Sequence, residues 1–280
     1  MNLLFLAHST DKKSGWGRYA YDLIEGVKKS GHNVVVLEEE VWGAKLFLSV
    51  FRVRKYIKNC DIVHALDVYP YGVIAYLANL FLGKKLIISA QGTYAIAPLY
   101  NIKTSWLSRL ALRRADSIIA ISNFTKQELL KKISGEKIEV INHGINLGKF
   151  YKSHIEAQEN FILSVGALKY RKGYHVSIPA FAEAKKVFSD LRYKIVGSQE
   201  DARYFDQLKN IAKEYKVSDS VEFLTGISDD ELSALYQRAK VFLLLSINHN
   251  HQFEGFGLVF LEASAAGTPA VGTLGSGIED

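Results

Sequence analysis

Short β-branched and aliphatic runs recur along the chain, and between them apolar residues fall at helical spacing. In the first half the runs are "NLLFLA", "NVVVLE", "DIVHAL", "KLIISA", "SIIAIS" and "KIEVIN". The segments between them, "GRYAYDLIEGVKKSG", "AKLFLSVFRVRKYIKN", "YGVIAYLANLFLG", "TSWLSRLALRRA" and "NFTKQELLKKISG", predict amphipathic or buried helices. Gly31 supplies a stop for the first of these, and Asn123 an N-cap for the last. The pattern lapses over "HGINLGKFYKSHIEAQEN", His143 to Asn160, which has no clear period and reads as a linker. It restarts with "FILSVGAL", "RYKIVGS", "VEFLTGI", "KVFLLLS" and "PAVGT". These are separated by the helical "GYHVSIPAFAEAKKVFSD", "ARYFDQLKNIAKEYK", "DDELSALYQRA" and "GLVFLEASAAG". Strands alternating with helices predict parallel sheets covered on both faces. The expected fold is therefore α/β, two doubly wound domains in tandem, residues 1–150 and 151–280.

A chain of 280 residues is long enough for one large core or two modest ones. Its net charge of +6 is uneven: residues 1–150 carry +9 and residues 151–280 carry −3, as expected of two modules with different partners. The single cysteine, Cys60, excludes an internal disulfide framework and fits a reducing cytoplasm. The sequence shows no signal-peptide pattern. Its longest apolar stretch, Tyr71 to Gly83, falls short of the ~20 residues that span a bilayer and reads as a buried helix.

The opening stretch Gly15-Trp-Gly17-Arg-Tyr-Ala20 fits G-x-G-x-x-A, a dinucleotide fingerprint, with the acidic Glu38-Glu39-Glu40 near the place of its ribose carboxylate. Against that reading, seven residues, His8 to Ser14, separate the strand from Gly15, and bulky Trp16 stands where a backbone must approach phosphate. Two other readings stay open: glycines that open a helix, and a helix N-terminus whose dipole favours an anion across an interdomain cleft.

The densest chemistry lies late, in "HQFEGFGLVFLEASAAGTPAVGT", where Glu254 and Glu262 are separated by seven residues with Gly255-Phe256-Gly257 after the first. This resembles the E-x7-E signature of retaining glycosyltransferases with the GT-B fold, specifically glycosyltransferase family 4. "SGWGRYAYDL", "DIVHALD", "VINHGIN", "VGALKYRKGYHVSIPAF", "IVGS" and "VEFLTGISDDELSALYQRAKVFLLLS" follow in family order, so the resemblance covers nearly the whole chain. Glycines at a helix start leave backbone N–H groups open to a diphosphate. A side chain one turn into that helix leans back toward the N-terminus. Arg or Lys stabilises a departing nucleoside diphosphate without a metal.

The resemblance implies two Rossmann-like domains facing a cleft, with the second lacking its C-terminal elements, and transfer of a hexose to a glycan or lipid-linked acceptor. The co-substrate is a nucleotide diphosphate sugar, UDP- or GDP-linked, with no other cofactor and no metal. Glu254 is implied against the donor sugar, Arg171 and Lys172 on the diphosphate, and Glu262 on the ribose. Gly255, Phe256, Gly257 and Leu258 frame the phosphate site, and Gly197, Thr225, Gly226 and Ile227 lie near the base. Gly15 and Gly17, with Gln91 on the acceptor side, form the opposing wall. Two positions depart from the pattern: Ala167 stands where the family has arginine after the strand's glycine, and Gln91 where many members have histidine. Gln can hydrogen-bond but takes no proton near neutrality.

His249 and His251 read either as a surface loop or as donor or acceptor contacts, and Asp229-Asp230 as a helix N-terminal pair. "AKLFLSVFRVRKYIK" (Ala44 to Lys58) and "KTSWLSRLALRR" (Lys103 to Arg114) carry cations and no acid among apolar residues. Such helices either lie on anionic lipid or present solvated charges over a core face. The expected location is cytoplasmic, peripheral to the inner face of the membrane, with no nucleic-acid partner. Family members continue past "GTLGSGIED", which predicts an open sheet edge and a partner to cover it: a second copy or a completing subunit. A non-catalytic nucleotide-sugar-binding or scaffold subunit, or half of a split enzyme, is the alternative.

Overall fold

The computed structural model describes residues 1–12, 14–38, 45–134, 137–150 and 158–280. Glu39, Glu40, Ala44 and the 151–157 part of the linker lie outside the described residues. The chain divides into two compact units, Met1–His143 with Asp280, and Gly144–Glu279.

The first unit runs β1 (Asn2–Ala7), α1 (Gly15–Lys29), β2 (Asn33–Glu38), α2 (Lys45–Ile57), β3 (Ile62–Ala65) and α3 (Val73–Asn79). It continues with β4 (Lys85–Ala90), α4 (Thr93–Tyr100), α5 (Ser105–Arg114), β5 (Ser117–Ala120), α6 (Asn123–Leu130) and β6 (Ile138–Val140). Among the described residues its strands pair in parallel in the order β2-β1-β3-β4-β5-β6. The apolar run of β1 is buried from Leu3 to Ala7, as an inner strand of a covered parallel sheet requires, whereas β2 at the edge alternates exposed and partly buried residues before a buried Leu37.

Local chemistry sets the helix ends. Ser14 caps α1 by accepting from the Gly17 N–H at 3.0 Å, and Gly31, at φ +82°, takes the left-handed position just past its end. The cap of α6 is Ser122, not Asn123: its hydroxyl accepts from the Thr125 N–H while Asn123 already belongs to the helix. The expected helix Tyr71 to Gly83 is shorter than its hydrophobicity suggested. A separate turn, Val68–Gly72, precedes α3, and Leu80 leaves helical geometry, so Phe81 ends up 98% exposed.

The second unit runs α7 (Leu147–Phe150), β7 (Phe161–Val165), α8 (Tyr174–Val187), β8 (Arg192–Val196), α9 (Ala202–Glu214) and β9 (Val221–Leu224). It closes with α10 (Asp229–Arg238), β10 (Val241–Leu244), α11 (Leu258–Ala265) and β11 (Ala270–Gly272). Its strands are parallel in the order β11-β10-β7-β8-β9. Tyr174, Tyr193, Tyr236, Phe161, Phe181 and Phe242 fill the core. The buried phenols are satisfied: Tyr193 by Ser164 and Ser177 at 2.7 Å each, and Tyr174 by donating to the Gly166 carbonyl at 2.7 Å. The linker reading of His143–Asn160 needs correction, because α7 lies within it and Phe150 is buried edge-on against Tyr236, ring centres 6.0 Å apart. Asp229 and Asp230 open α10 behind Ser228, which forms a reciprocal capping box with Glu231.

Candidate functional site

A parallel sheet offers a ligand crevice beyond the carboxyl ends of its strands, where the strand order reverses. In the second unit β7 lies between β10 and β8, so the reversal falls at β7 and β10. The loops leaving those two strands carry Arg171, Lys172 and Glu254. They are pressed together: Gly173 sits at φ +70°, and a Cβ there would lie 1.7 Å from the Leu245 carbonyl oxygen. The Ile247 N–H donates to the Arg171 carbonyl at 2.8 Å. Across this junction one carboxylate oxygen, Glu254 Oε2, accepts from Lys172 Nζ at 2.6 Å and Arg171 Nη1 at 3.0 Å. The structure thus brings the three residues singled out for chemistry into one buried ion cluster.

Burial sets their ionisation. It pulls the Lys172 ammonium below its ordinary value, against the attraction of Glu254, with Arg171 pushing in the same downward direction. Burial also pushes the Glu254 carboxyl up, but Lys172 and Arg171 together outweigh it and hold it below the usual carboxylate range.

Glu262 lies within α11, buried, and accepts the Tyr236 hydroxyl at 2.8 Å. Gly255, Phe256, Gly257 and Leu258 lead into that helix, with Gly257 at φ +82° as its N-cap. The Gly277 N–H donates to the Glu254 carbonyl at 2.9 Å and steadies the loop from behind. Gly197, just past β8, would place a Cβ 2.0 Å from the Gly166 carbonyl oxygen, so the ends of β7 and β8 meet backbone to backbone. Thr225, Gly226 and Ile227 follow β9, whose Leu224 carbonyl accepts from the Gly197 N–H at 2.9 Å. All these positions lie at the carboxyl ends of the sheet. His249, in a tight turn closed by backbone hydrogen bonds with Gln252, comes within 5.2 Å of the Tyr170 ring.

In the first unit the reversal falls at β1 and β3. Gly17 there is demanded by its own neighbour, since a Cβ would lie 2.1 Å from the Asp11 carbonyl oxygen, whereas nothing comes within 4 Å of one at Gly15. Trp16 packs near His8 and Tyr71, whose Nδ1 and hydroxyl lie 3.2 Å apart. Gln91 is buried just after β4 beside the Tyr19 hydroxyl, and among the described residues its Nε2 has no hydrogen-bond partner of normal geometry. Sequence reasoning missed the polar groups around it. His64 Nε2 lies 2.9 Å from Ser89 Oγ, Ser89 Oγ lies 3.3 Å from the Tyr19 hydroxyl, and Tyr19 stacks on His143 at 3.9 Å. Burial raises Asp67 to about 8 and lowers His64 to about 4 and His143 to about 3. The signal was present in "DIVHALD" and "VINHGIN", polar residues at the ends of apolar strands.

A cavity of ≈ 400 Å³ lies elsewhere, lined by Asn2, Leu3, Asn33, Lys55, Tyr56 and Cys60, among others. Asn2, Leu3 and Asn33 open β1 and β2, while Lys55 and Tyr56 lie in the last turn of α2 and Cys60 precedes β3, so the cavity lies at the amino ends of the strands, the wrong end for a doubly wound site. Among the described residues no group of three or more His, Cys, Asp or Glu is placed to hold a metal ion, and no helix is long and apolar enough to cross a membrane.

Comparison with known proteins matches these parts. Residues 41–149 match the family described as Glycosyltransferase Family 4, and residues 149–280 the family described as Glycosyl transferases group 1. An uncharacterized glycosyltransferase of Methanocaldococcus jannaschii is 26% identical over 250 residues, 88% of this chain and 66% of that protein. The O-antigen chain mannosyltransferase RfbU of Salmonella typhimurium is 27% identical over 224 residues, 73% of this chain and 60% of its own. The chain thus spans about 60–66% of the length of these relatives. The structure is similar to Anabaena Alr3699/HepE solved with UDP and glucose, with a TM-score of 0.80 at 18% identity, covering 100% of this chain and 82% of that one. It is similar also to a sucrose-phosphate synthase from Thermosynechococcus elongatus, with a TM-score of 0.81 at 18% identity over the same shares. The fold is GT-B, built from two Rossmann-like units, and the chain is related to both glycosyltransferase families.

Proposed function

We propose that the chain is a retaining, metal-independent glycosyltransferase that moves a hexose from a nucleotide diphosphate sugar, UDP- or GDP-linked, to a hydroxyl of a glycan or lipid-linked acceptor. The observation that carries this reading is the convergence of Lys172 and Arg171 on Glu254 at the strand-order reversal of the second unit. Two cations fixed by backbone and carboxylate contacts are preorganised for a diphosphate whose charge grows as the glycosidic bond breaks. A phosphate oxygen competes with Glu254 for both, and releases that carboxylate toward the sugar. Arg171 supplies the second cation that Ala167 does not. Glu262, fixed by Tyr236, holds the ribose hydroxyls, and the glycine-lined start of α11 receives phosphate. Gln91, a buried amide beside the Tyr19 hydroxyl, serves the acceptor hydroxyl as a hydrogen-bond partner, not as a base. The UDP and glucose bound by Alr3699/HepE make a uridine nucleotide the first donor to try.

Calorimetric titration of UDP, GDP, ADP and NAD into the purified chain, with Glu262→Ala alongside, tests the donor site. Transfer from the matching nucleotide sugar, with the anomeric configuration of the product read by NMR, tests the reaction. Selective binding of one nucleoside diphosphate, weakened by Glu262→Ala, is expected. Binding of NAD alone, or a product of inverted configuration, overturns the proposal.

A further inference from the structure

We infer that the first unit docks on an anionic lipid surface through the outward face of α2. The helix is anchored by one stripe: Leu46, Ser49, Val53 and Ile57 are buried against the unit. Arg54, one of the cations counted in the sequence, is spent internally, with Nη1 donating to the Ala78 and Leu80 carbonyls at 2.9 and 2.8 Å and capping the end of α3. The opposite arc stays in solvent. It presents Phe47, Leu48 and Phe51, at 68–71% exposure, interleaved with the exposed cations Lys45, Arg52, Lys55 and Lys58. No acidic residue occurs between Lys45 and Lys58. Beside the carbonyls that Arg54 holds, Phe81 stands 98% exposed at φ +65°, a backbone region that a bulky side chain avoids.

Large apolar side chains held in water call for a partner. A second copy of the chain meeting this face across a two-fold axis would set cations against cations. A nucleic acid would use the cations and leave the phenylalanines wet. An anionic bilayer satisfies both at once, because aromatic and aliphatic side chains enter the headgroup boundary while Lys and Arg meet phosphate. Helix α5, the other basic segment, is the weaker candidate: Arg109 turns inward to the Leu99 carbonyl at 3.3 Å, leaving Trp106 as its exposed aromatic side chain.

The test is co-sedimentation of the full chain with vesicles of phosphatidylcholine alone and of phosphatidylcholine with phosphatidylglycerol, with no nucleotide present. Its outcome is therefore separate from that of the donor site. Binding to the anionic vesicles only, weakened by salt as the Debye length shrinks, is expected. Lys55→Gln with Lys58→Gln should lower the partition coefficient about fivefold per cation, the equivalent of ~1 kcal/mol each near the surface. Phe47→Ser with Phe51→Ser should lower it at least about tenfold. All four positions are exposed, and far-UV circular dichroism of each variant verifies the fold. Equal binding to both vesicle types, no binding to either, or variants that bind like the wild type overturn the proposal. So does a DNA duplex that displaces the vesicles, or a dimer that the phenylalanine variants dissolve.

Discussion

Replacing Glu254 by glutamine tests whether charge holds the ion cluster together. Glu254 Oε2 meets Lys172 at 2.6 Å and Arg171 at 3.0 Å, with the three side chains 11–16% exposed. Glutamine keeps the volume but removes the charge. Stripping one partner from a buried pair costs about 3–5 kcal/mol, because the remaining charge stays poorly solvated. Two cations are stranded here, and burial already holds the Lys172 ammonium below its ordinary value. The expected loss at neutral pH is therefore about 3–5 kcal/mol.

The pH dependence is specific to this cause. Glu254 is held below the usual carboxylate range, so its contribution is complete above about pH 4.3 and is lost as pH falls through the folded-state value. Wild type and variant should differ most near neutrality and converge in acid, where the wild-type carboxylate is neutral too. On the alkaline side the variant should recover as Lys172 deprotonates. Urea unfolding by far-UV circular dichroism across this range measures the difference. The tryptophans, Trp16, Trp42 and Trp106, all fall in the first 143 residues, so indole fluorescence gives an internal reference for the first unit. A loss within about 0.5 kcal/mol at neutral pH, the range of ordinary surface changes, would refute the reasoning. A difference that ignores pH would do the same.

Other expectations follow from single contacts. Gly173→Ala and Gly17→Ala should each cost about 3 kcal/mol or more or prevent folding, whereas Gly15→Ala, with open space around it, should gain up to about 1 kcal/mol in the same urea assay. Tyr236→Phe should cost about 1–3 kcal/mol and weaken nucleoside diphosphate binding, because the hydroxyl positions Glu262; unchanged affinity by calorimetry would separate Glu262 from the donor. Asp67 stays protonated in the fold to about pH 8 while the unfolded chain ionises near pH 3.9, so it subtracts stability as pH rises between them. Asp67→Asn should flatten that decline in a pH series of unfolding midpoints. His64, lowered to about 4 by burial, acts in the opposite sense: its stability is lost as pH falls from about 6.5 toward 4, and His64→Gln should remove that acid limb.

The strands were readable from sequence because inner parallel strands are unbroken apolar runs, and β1 or β4 cannot be mistaken for anything else. Helix α4 was not, since "TYAIAPLY" carries Pro98 and no apolar stripe, and its burial of Ala95, Ile96 and Leu99 depends on α5 and α6 packed around it. The choice of Ser122 over Asn123 as a cap turned on one residue of register, which side-chain chemistry alone does not decide. In the candidate site the residue types and their order were visible, but their pairing was not. Nothing in "YRKG" announces that Arg171 and Lys172 share one oxygen of Glu254, or that Tyr236 holds Glu262. Those contacts arise from which strands lie side by side. The cations of the α2 stretch likewise read alike, and only the structure shows Arg54 turned inward to α3.

The Arg171–Glu254 and Lys172–Glu254 contacts join residues 83 and 82 positions apart in sequence. Neither end can find the other until β10 has docked beside β7, after three intervening crossovers have formed. Closing so long a loop is slow and comes after local structure. The cluster is therefore a late event on the folding route, and substitutions in it should act chiefly on how fast the native chain opens, leaving the rate of folding almost untouched. During synthesis the same ordering means that a nascent chain with β7, β8 and β9 in place holds a sheet but as yet no site.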